Sequence, residues 1–226
     1  MNIDLSDFET SIELRPLRRE DYPAWRELLM ACFPNLEPWS EAHFESMLAH
    51  FPEGQICIEV DGRIVASSSA LVVQYDDYTD WHDYLEISDQ GYIRNHDPEG
   101  DTLYGIEMMV HPDYRGQKLA RRLYDARKQL CRDMNCARQI IGGRIPGYAD
   151  HEDEMTAHEY VEKVIGKQLY DPVLTTQLAN GFQLRQLIAD YLPSDEDSAG
   201  WATCLEWPNF DYVPPARRKR ARRSVL

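Results

Sequence analysis

Residues 102–110 form an apolar run dense enough for a central strand. Within a few positions of its end, past His111-Pro112-Asp113-Tyr114, a helical pattern of apolar residues begins at Arg115 and continues to Met134. Proline removes a backbone donor and fixes its own φ, so the strand has to end in that turn. The chain thus carries the end of a strand directly into the start of a helix. The first amides of a helix have no intrahelical acceptor, and the helix dipole is positive at that end. A strand–turn–helix of this kind aims several N–H groups at one point, which attracts an anion such as phosphate. Arg115, Lys118, Arg121 and Arg122 place cations at the same end. Each opposes the dipole by about 0.3–1 kcal/mol, a penalty that makes sense where an anion is to be bound. The plain alternative is an ordinary strand–turn–helix with a cationic cap.

The rest of the chain supplies partners for this unit. Residues 1–11 read as a flexible N-terminus and 12–17 as a first strand. A helix follows over 22–33, with Asp21 as its cap and Trp25, Leu28, Leu29 and Cys32 at helical spacing. A second helix starts at Ser40 and puts Phe44, Met47, Leu48 and Phe51 on one face. Two β-rich runs, 55–60 and 63–74, flank Asp61-Gly62, a strong two-residue hairpin signal. Residues 76–101 read as an acidic and aromatic insertion that includes Asp76, Asp77, Tyr78, Asp80, Trp81, His82, Asp83 and Tyr84. After the long helix, 138–145 returns as a strand. Residues 155–169 and 172–178 read as helices, and 182–192 and 201–207 as closing strands. Crossover helices mixed with hairpins argue for one three-layer α/β domain, residues 12–212, around a mixed, mostly antiparallel sheet.

Composition excludes several classes. With 43% apolar and 11% aromatic residues, the chain buries a real core. No apolar run approaches the ~20 residues of a membrane-spanning helix, so no membrane partner is expected. The first residues, Met1-Asn-Ile-Asp-Leu-Ser-Asp, have neither a basic region nor an apolar core of a signal peptide. Five cysteines at unrelated spacings suit a reducing cytoplasm, and no cluster with metal-ligand spacing is present, so no metal is expected. The net charge is −15, yet residues 216–223 hold six basic residues and no acid, which leaves the first 215 residues at −21. Such a body repels nucleic acid. The tail, 213–226, reads as a solvated linker or as a contact for an acidic partner, RNA or membrane phosphates.

Val110-His-Pro-Asp-Tyr-Arg-Gly-Gln-Lys-Leu-Ala resembles the acetyl-CoA motif of the GNAT acyltransferases, Arg/Gln-x-x-Gly-x-Gly/Ala after a Val-x-Pro turn. Asn180-Gly181-Phe182 resembles that family's lead-in to its penultimate strand. Asp171-Pro-Val-Leu, Tyr191-Leu-Pro and Leu205-Glu-Trp resemble the GNAT-like domain joined to nitrilase-type carbon–nitrogen hydrolases. The resemblance implies the acyl-CoA N-acyltransferase fold, an α/β/α sandwich whose sheet splays at the cofactor cleft. It implies acetyl-CoA as co-substrate, with the amides of Gly116, Gln117, Lys118, Leu119 and Ala120 around the pyrophosphate. Arg115 opens that loop and Arg121 follows it, while Met109 and Val110 pair with the pantetheine arm and the acyl carbonyl. Lys118 stands where the family has glycine, a substitution compatible with close backbone approach if its φ is negative. In that subgroup a basic linker leads into the hydrolase, and these 226 residues contain none. The implied partners are therefore a small-molecule amine acceptor and a carbon–nitrogen hydrolase.

Acyl transfer to an amine needs a base, a proton donor and donors for the developing oxyanion. Glu107, on the central strand with Ile106 and Met108 facing away, occupies the place of the family's strand glutamate. It reads either as the base or as an ion-pair partner of Arg144. The family's tyrosine acid falls on Gln177, so Tyr148 and Tyr170 are the candidate substitutes, with Tyr148 better placed. Tyr148 also reads as a rim aromatic on the following helix. The acids of the insertion and His151-Glu-Asp-Glu suit a cationic acceptor or a solvated surface, His82 reads as a surface histidine, and the insertion's aromatics hint at a homodimer contact. The function implied is N-acetyl transfer to a primary amine; a catalytically idle CoA-binding module that docks on a hydrolase is the alternative.

Overall fold

In a computed structural model, which describes residues 11–78 and 82–214, the apolar run becomes β4 (Thr102–Val110) at the middle of a seven-stranded sheet. The other strands are β1 (Ile12–Pro16), β2 (Gln55–Val60), β3 (Arg63–Val73), β5 (Arg138–Arg144), β6 (Gln183–Ile188) and β7 (Ala202–Pro208), in the order β1-β2-β3-β4-β5-β7-β6. Every pairing is antiparallel except β4 with β5. The β2–β3 hairpin turns through Asp61 and Gly62, whose φ values of 49° and 80° are those its dipeptide demands.

Helices α1 (Tyr22–Cys32) and α2 (Glu41–His50) cover one face, where Trp25, Leu28, Leu29 and Phe44 bury against Cys57, Ile64 and Met109. Ser40 caps α2 as the sequence suggests. Asp21 does not cap α1: its carboxylate is bound by Arg15 at 2.7 Å, and Glu59 completes the cluster at 2.8 Å. The opposite face carries α4 (Leu119–Asp133), α5 (Ala157–Ile165) and α6 (Leu174–Ala179). There Leu119 and Leu123 pack on Ile56, Ile58 and Val65, and Tyr124 meets Phe182 and Leu205. These are the three layers expected. The insertion is not a loose rim. It contains a short helix, α3 (Tyr84–Ile87), and Ile87, Ile93, Tyr78 and Tyr84 join the main core. Tyr78 and Tyr84 thus pack partly within the chain; Asp80 and Trp81 lie outside the described residues, as do residues 1–10 and the basic run of the tail.

The pairing of β4 with β5 covers only Thr102↔Arg138 to Gly105↔Ile141. Beyond Gly105, the β5-facing edge of β4 has no strand partner. A bulge falls at the same place: Ser69 pairs with Glu107 and Ala70 with Gly105, which leaves Ile106 as the extra residue. Bulges bend and twist a strand, and here the bend opens the sheet between β4 and β5. The bulge also breaks the strict alternation that would send Ile106 to the face opposite Glu107.

Arg127 of α4 lies across the last paired residues. It is 2% exposed, donates to Ser68 Oγ on β3 at 3.1 Å and binds the Gln139 amide oxygen on β5 through Nε and Nη2 at 2.7 and 3.1 Å. No carboxylate pairs with it among the described residues, and burial lowers its pKa to about 10. Its guanidinium rests on Gly105, where a Cβ would fall 1.8 Å from Nη2. Gly105→Ala is therefore expected to destabilise the fold by about 1–3 kcal/mol through overpacking, seen as a lower urea midpoint with an unchanged slope.

Candidate active site

The helix begins four residues later than its apolar pattern suggests. Residues 115–118 instead form an exposed loop, with Gly116 at φ 79° and Lys118 at φ 62°. Lys118, the N-cap residue, thus adopts the left-handed conformation that the family's glycine would take, not the negative φ expected of a side-chain-bearing residue. For an L-residue this costs about 1–2 kcal/mol. It turns the chain so that successive amides face outward. Arg115 N bonds to Pro112 O at 3.2 Å and Arg122 N to Lys118 O at 3.3 Å; between them, among the described residues, the amides of residues 116–121 make no hydrogen bond. A Cβ on Gly116 would meet nothing within 4 Å, so the loop's outer side is open. Unpaired amides converging at a helix N-terminus, with three further cations nearby, suit a pyrophosphate.

The Val110 carbonyl, at the end of β4, accepts from Arg115 Nε at 3.4 Å and from the Cys32 thiol at 3.3 Å. These contacts tie the loop and the end of α1 to the mouth of the splay. Met109 is 2% exposed and belongs to the α1-side core, whereas Val110 is half-buried on the α4 side. The open edge of β4 between Gly105 and Val110 is an extended main-chain surface that leads from the amide nest into the sheet.

Glu107, two residues before Met109 on β4, shares that residue's α1 side of the strand. The residue is partly exposed, yet its Oε2 is closed off from solvent and has no hydrogen-bond partner. Burial alone raises its pKa to about 8. The expected ion pair with Arg144 is not formed. Arg144 is held by Asp195, with Nε to Oδ2 at 2.6 Å, and by Asp197 at 3.1 Å, and it stacks on Phe33. That clasp joins the α1–α2 loop to the β6–β7 loop over a pocket of about 50 Å³ lined by Cys32, Phe33 and Asp195.

Tyr148 is only 7% exposed. It donates to the Met155 carbonyl at 3.3 Å and packs on Tyr160, within the α5–α6 core and not in the cluster around Glu107. Tyr170 is 71% exposed. Gln177 is buried beside Gly143, with its Oε1 unpaired among the described residues. His82 is not a surface residue. It is fully buried, with Nε2 2.8 Å from the Tyr104 hydroxyl, which in turn lies 3.1 Å from that of Tyr191. Sequence reasoning missed this network because its members are 22 and 87 residues apart. Among the described residues no cluster of His, Cys, Asp and Glu has the geometry of a metal site.

The acetyltransferase (GNAT) family profile matches residues 22–144, which include the whole nest, the splay and Glu107. The chain belongs to that family, and acyl transfer is the class of reaction that membership brings. It is 34% identical to "Uncharacterized N-acetyltransferase YkwB" of Bacillus subtilis over 89% of this chain and 91% of that protein. It is 48% identical over 96% of its length to "Probable hydrolase YhcX" of the same organism, but spans only 42% of that relative. Among solved structures, "GphF GNAT-like decarboxylase in complex with isobutyryl-CoA" matches with a TM-score of 0.75 at 22% identity, covering 87% of this chain and 98% of that one, a likeness of fold.

Two predictions follow from the site's strained and desolvated residues. Lys118→Gly should gain about 0.5–1 kcal/mol, because relief of the left-handed strain exceeds the added chain entropy; a higher urea midpoint would show it. Burial holds the Glu107 pKa at about 8, against 4.5 for an unburied glutamate, so the native state holds the proton more tightly. Its contribution is complete below pH 4.5 and is lost as pH rises through about 8. Glu107→Gln should therefore raise the melting temperature relative to wild type in alkaline buffer and leave it little changed in acid.

Proposed function

We propose that the protein transfers an acetyl group from acetyl-CoA to the primary amine of a small, cationic acceptor. The observation that carries this reading is the row of unbonded amides, residues 116–121, opening α4 beside an unpaired strand edge. In this reading Gly116, Gln117, Lys118, Leu119 and Ala120 hold the pyrophosphate through their N–H groups, and Arg115, Lys118 and Arg121 add charge. In a body this acidic that local charge is what admits a polyanion at all. Met109 and Val110 offer main-chain groups to the pantetheine arm and the acyl carbonyl.

Glu107 acts as the base. A cationic amine must shed a proton before it attacks, and a carboxylate with a pKa near 8 matches that task near neutral pH better than one near 4. Tyr148 has weaker support as the acid, since its hydroxyl is already engaged by Met155. The acceptor reading rests on the acidic loop Asp195, Glu196 and Asp197 at the clasp, where Arg144 offsets only part of the charge. The hydrolase named among the relatives suggests a carbon–nitrogen hydrolase as partner, with this domain supplying or consuming its amide. The buried free thiols fit a cytoplasmic setting.

The test is calorimetric titration with acetyl-CoA and CoA, followed by turnover on a panel of amines. Micromolar binding should weaken at least about ten-fold when Arg115 and Lys118 are both neutralised. The rate should rise with pH through about 8 in wild type. Glu107→Gln should lower it by about 10²–10⁴-fold and flatten the profile. Absence of binding at millimolar cofactor would defeat the proposal.

A further inference from the structure

Two buried polar oxygens without a partner among the described residues stand where β4 and β5 part, one on each face of the sheet. Glu107 Oε2 lies on the α1 face and Gln177 Oε1 on the α4 face. Glu107 has a part in the reaction proposed above; Gln177 has none. Gln177 is 5% exposed, and its main chain is fully engaged in α6 and the turn that follows. Its N–H donates to Val173 O at 3.0 Å, and its carbonyl accepts from the amides of Asn180 at 3.1 Å and Phe182 at 3.3 Å. The side-chain acceptor is what is left over.

The fold holds that side chain in place. Fully buried Asp171 accepts from the Val173 and Leu174 amides at 2.9 and 2.8 Å, at the start of α6. Its other oxygen accepts from Gly147 N, just past the end of β5, at 3.1 Å and from the Tyr160 hydroxyl of α5 at 3.0 Å. Helix α6 is thereby tied to the outgoing end of β5. From there Gln177 reaches over Gly143: a Cβ on that glycine would fall 2.4 Å from Oε1. Thr203, beside it on β7, does not serve Oε1 because its hydroxyl donates to the Gly143 carbonyl at 3.1 Å. Gly143 is two residues past Ile141, as Glu107 is two past Gly105, and Gly105↔Ile141 is the last pair between the strands. The amide oxygen therefore stands beside the opened part of the sheet, at the depth of the candidate base.

A buried acceptor left unpaired carries the full cost of its desolvation, and native proteins keep few of them. One placed beside a cleft suits a donor brought by the cleft's occupant. The arm of an acyl-CoA brings such donors. Its two secondary amides are separated by a pair of methylene carbons, and in an extended chain this spacing puts both carbonyls on one edge and both N–H groups on the other. An arm whose carbonyls turn to the bare edge of β4 thus turns its N–H groups away from β4, toward the wall formed by β5.

Resting on the acyl-CoA reading above, we propose that Gln177 Oε1 accepts the N–H of the arm's amide nearest the thioester. Gln177 is then a positioning residue. It fixes the arm from the α4 side and sets how deep the thioester sits relative to Glu107, and it exchanges no proton with the substrate.

The experiment measures Kd by calorimetry for three probes in wild type and in Gln177→Met, which keeps the length of the side chain and removes the amide oxygen. The probes are acetyl-CoA, ADP (a pyrophosphate without the arm) and an acetyl-CoA analogue with an ester oxygen in place of that amide N–H. Wild type should bind the ester analogue about ten-fold more weakly than acetyl-CoA. Gln177→Met should lose about ten-fold for acetyl-CoA, bind the two thioesters within about two-fold of each other and bind ADP as wild type does. Its melting temperature should be unchanged or higher, since an unpaired buried acceptor has been removed. A mere packing role would weaken both thioesters alike, and an unchanged ratio between them would overturn the proposal. So would acetyl-CoA binding by Gln177→Met within about two-fold of wild type, which would mean that water alone fills the place. Equal binding of the two thioesters by wild type would overturn it whether or not the variant folds. Wild type that binds none of the probes would overturn the cofactor reading itself, whereas binding without transfer to any amine would overturn the amine reading alone and leave the role of Gln177 standing.

Discussion

The structure depends on where β4 and β5 stop pairing. Four residue pairs, ending at Gly105↔Ile141, hold the two halves of the sheet together. Every strand before that junction lies on one side and β5, β7 and β6 on the other. Past the junction, β4 retains a full ladder with β3 yet shows a bare edge to β5. A bare edge inside a sheet is costly unless something pairs with it, and on the proposed reading the extended pantetheine arm is that partner. The bulge at Ile106 and the Arg127 guanidinium seated on Gly105 both fall at the point of separation. The buried cation has only neutral partners, and its role there is geometric: it ties β3 and β5 across β4 and sets where the opening begins.

Charge follows the same geometry. The first 215 residues carry −21, a field that repels any nucleotide-bearing cofactor. The nest at the start of α4 counters it locally with unbonded amides, the helix dipole and Arg115, Lys118 and Arg121. Lys118 in the left-handed region shows how two requirements meet at one residue. The backbone turn is the one glycine would make, and the side chain adds the charge glycine lacks. That combination carries strain, and strain retained at a binding loop is common where the backbone conformation itself is used.

Much of the fold could be read from the sequence because its signals are local. Asp61-Gly62 specifies a hairpin, Ser40 a helix start, and the apolar run ending at His111-Pro112 the central strand; each depends on residues within a few positions. The strand–turn–helix around residues 110–119 was legible for the same reason, although the left-handed Lys118 and the later helix start were not. What the sequence could not show depends on distant partners. Asp21 looks like a cap until Arg15 and Glu59 are brought to it. Arg144 looks like a partner for Glu107 until Asp195 takes it from a loop 51 residues away. His82, in a segment dense in acids, looks like surface. It is buried because Tyr104 and Tyr191 arrive from two different strand ends.

The catalytic consequence of Glu107's isolation comes from what is missing around it. An ion pair with Arg144 would hold its carboxylate at low pKa and leave it a weak base for an ammonium. With Arg144 committed to Asp195 and Asp197, burial is the only influence on Glu107, and it acts in the opposite direction. The clasp between the two loops therefore commits Arg144 elsewhere, and on the proposed reading that leaves the base unquenched. The same desolvation makes the ionised form expensive. Glu107 is nonetheless partly exposed, and on the proposed reading an arriving cationic amine lowers that cost by its own charge. On the proposed reading, deprotonation of the carboxyl and capture of the acceptor are then a single coupled event, which ties the acceptor's charge to the chemistry of the base as well as to the acidic loop at the clasp.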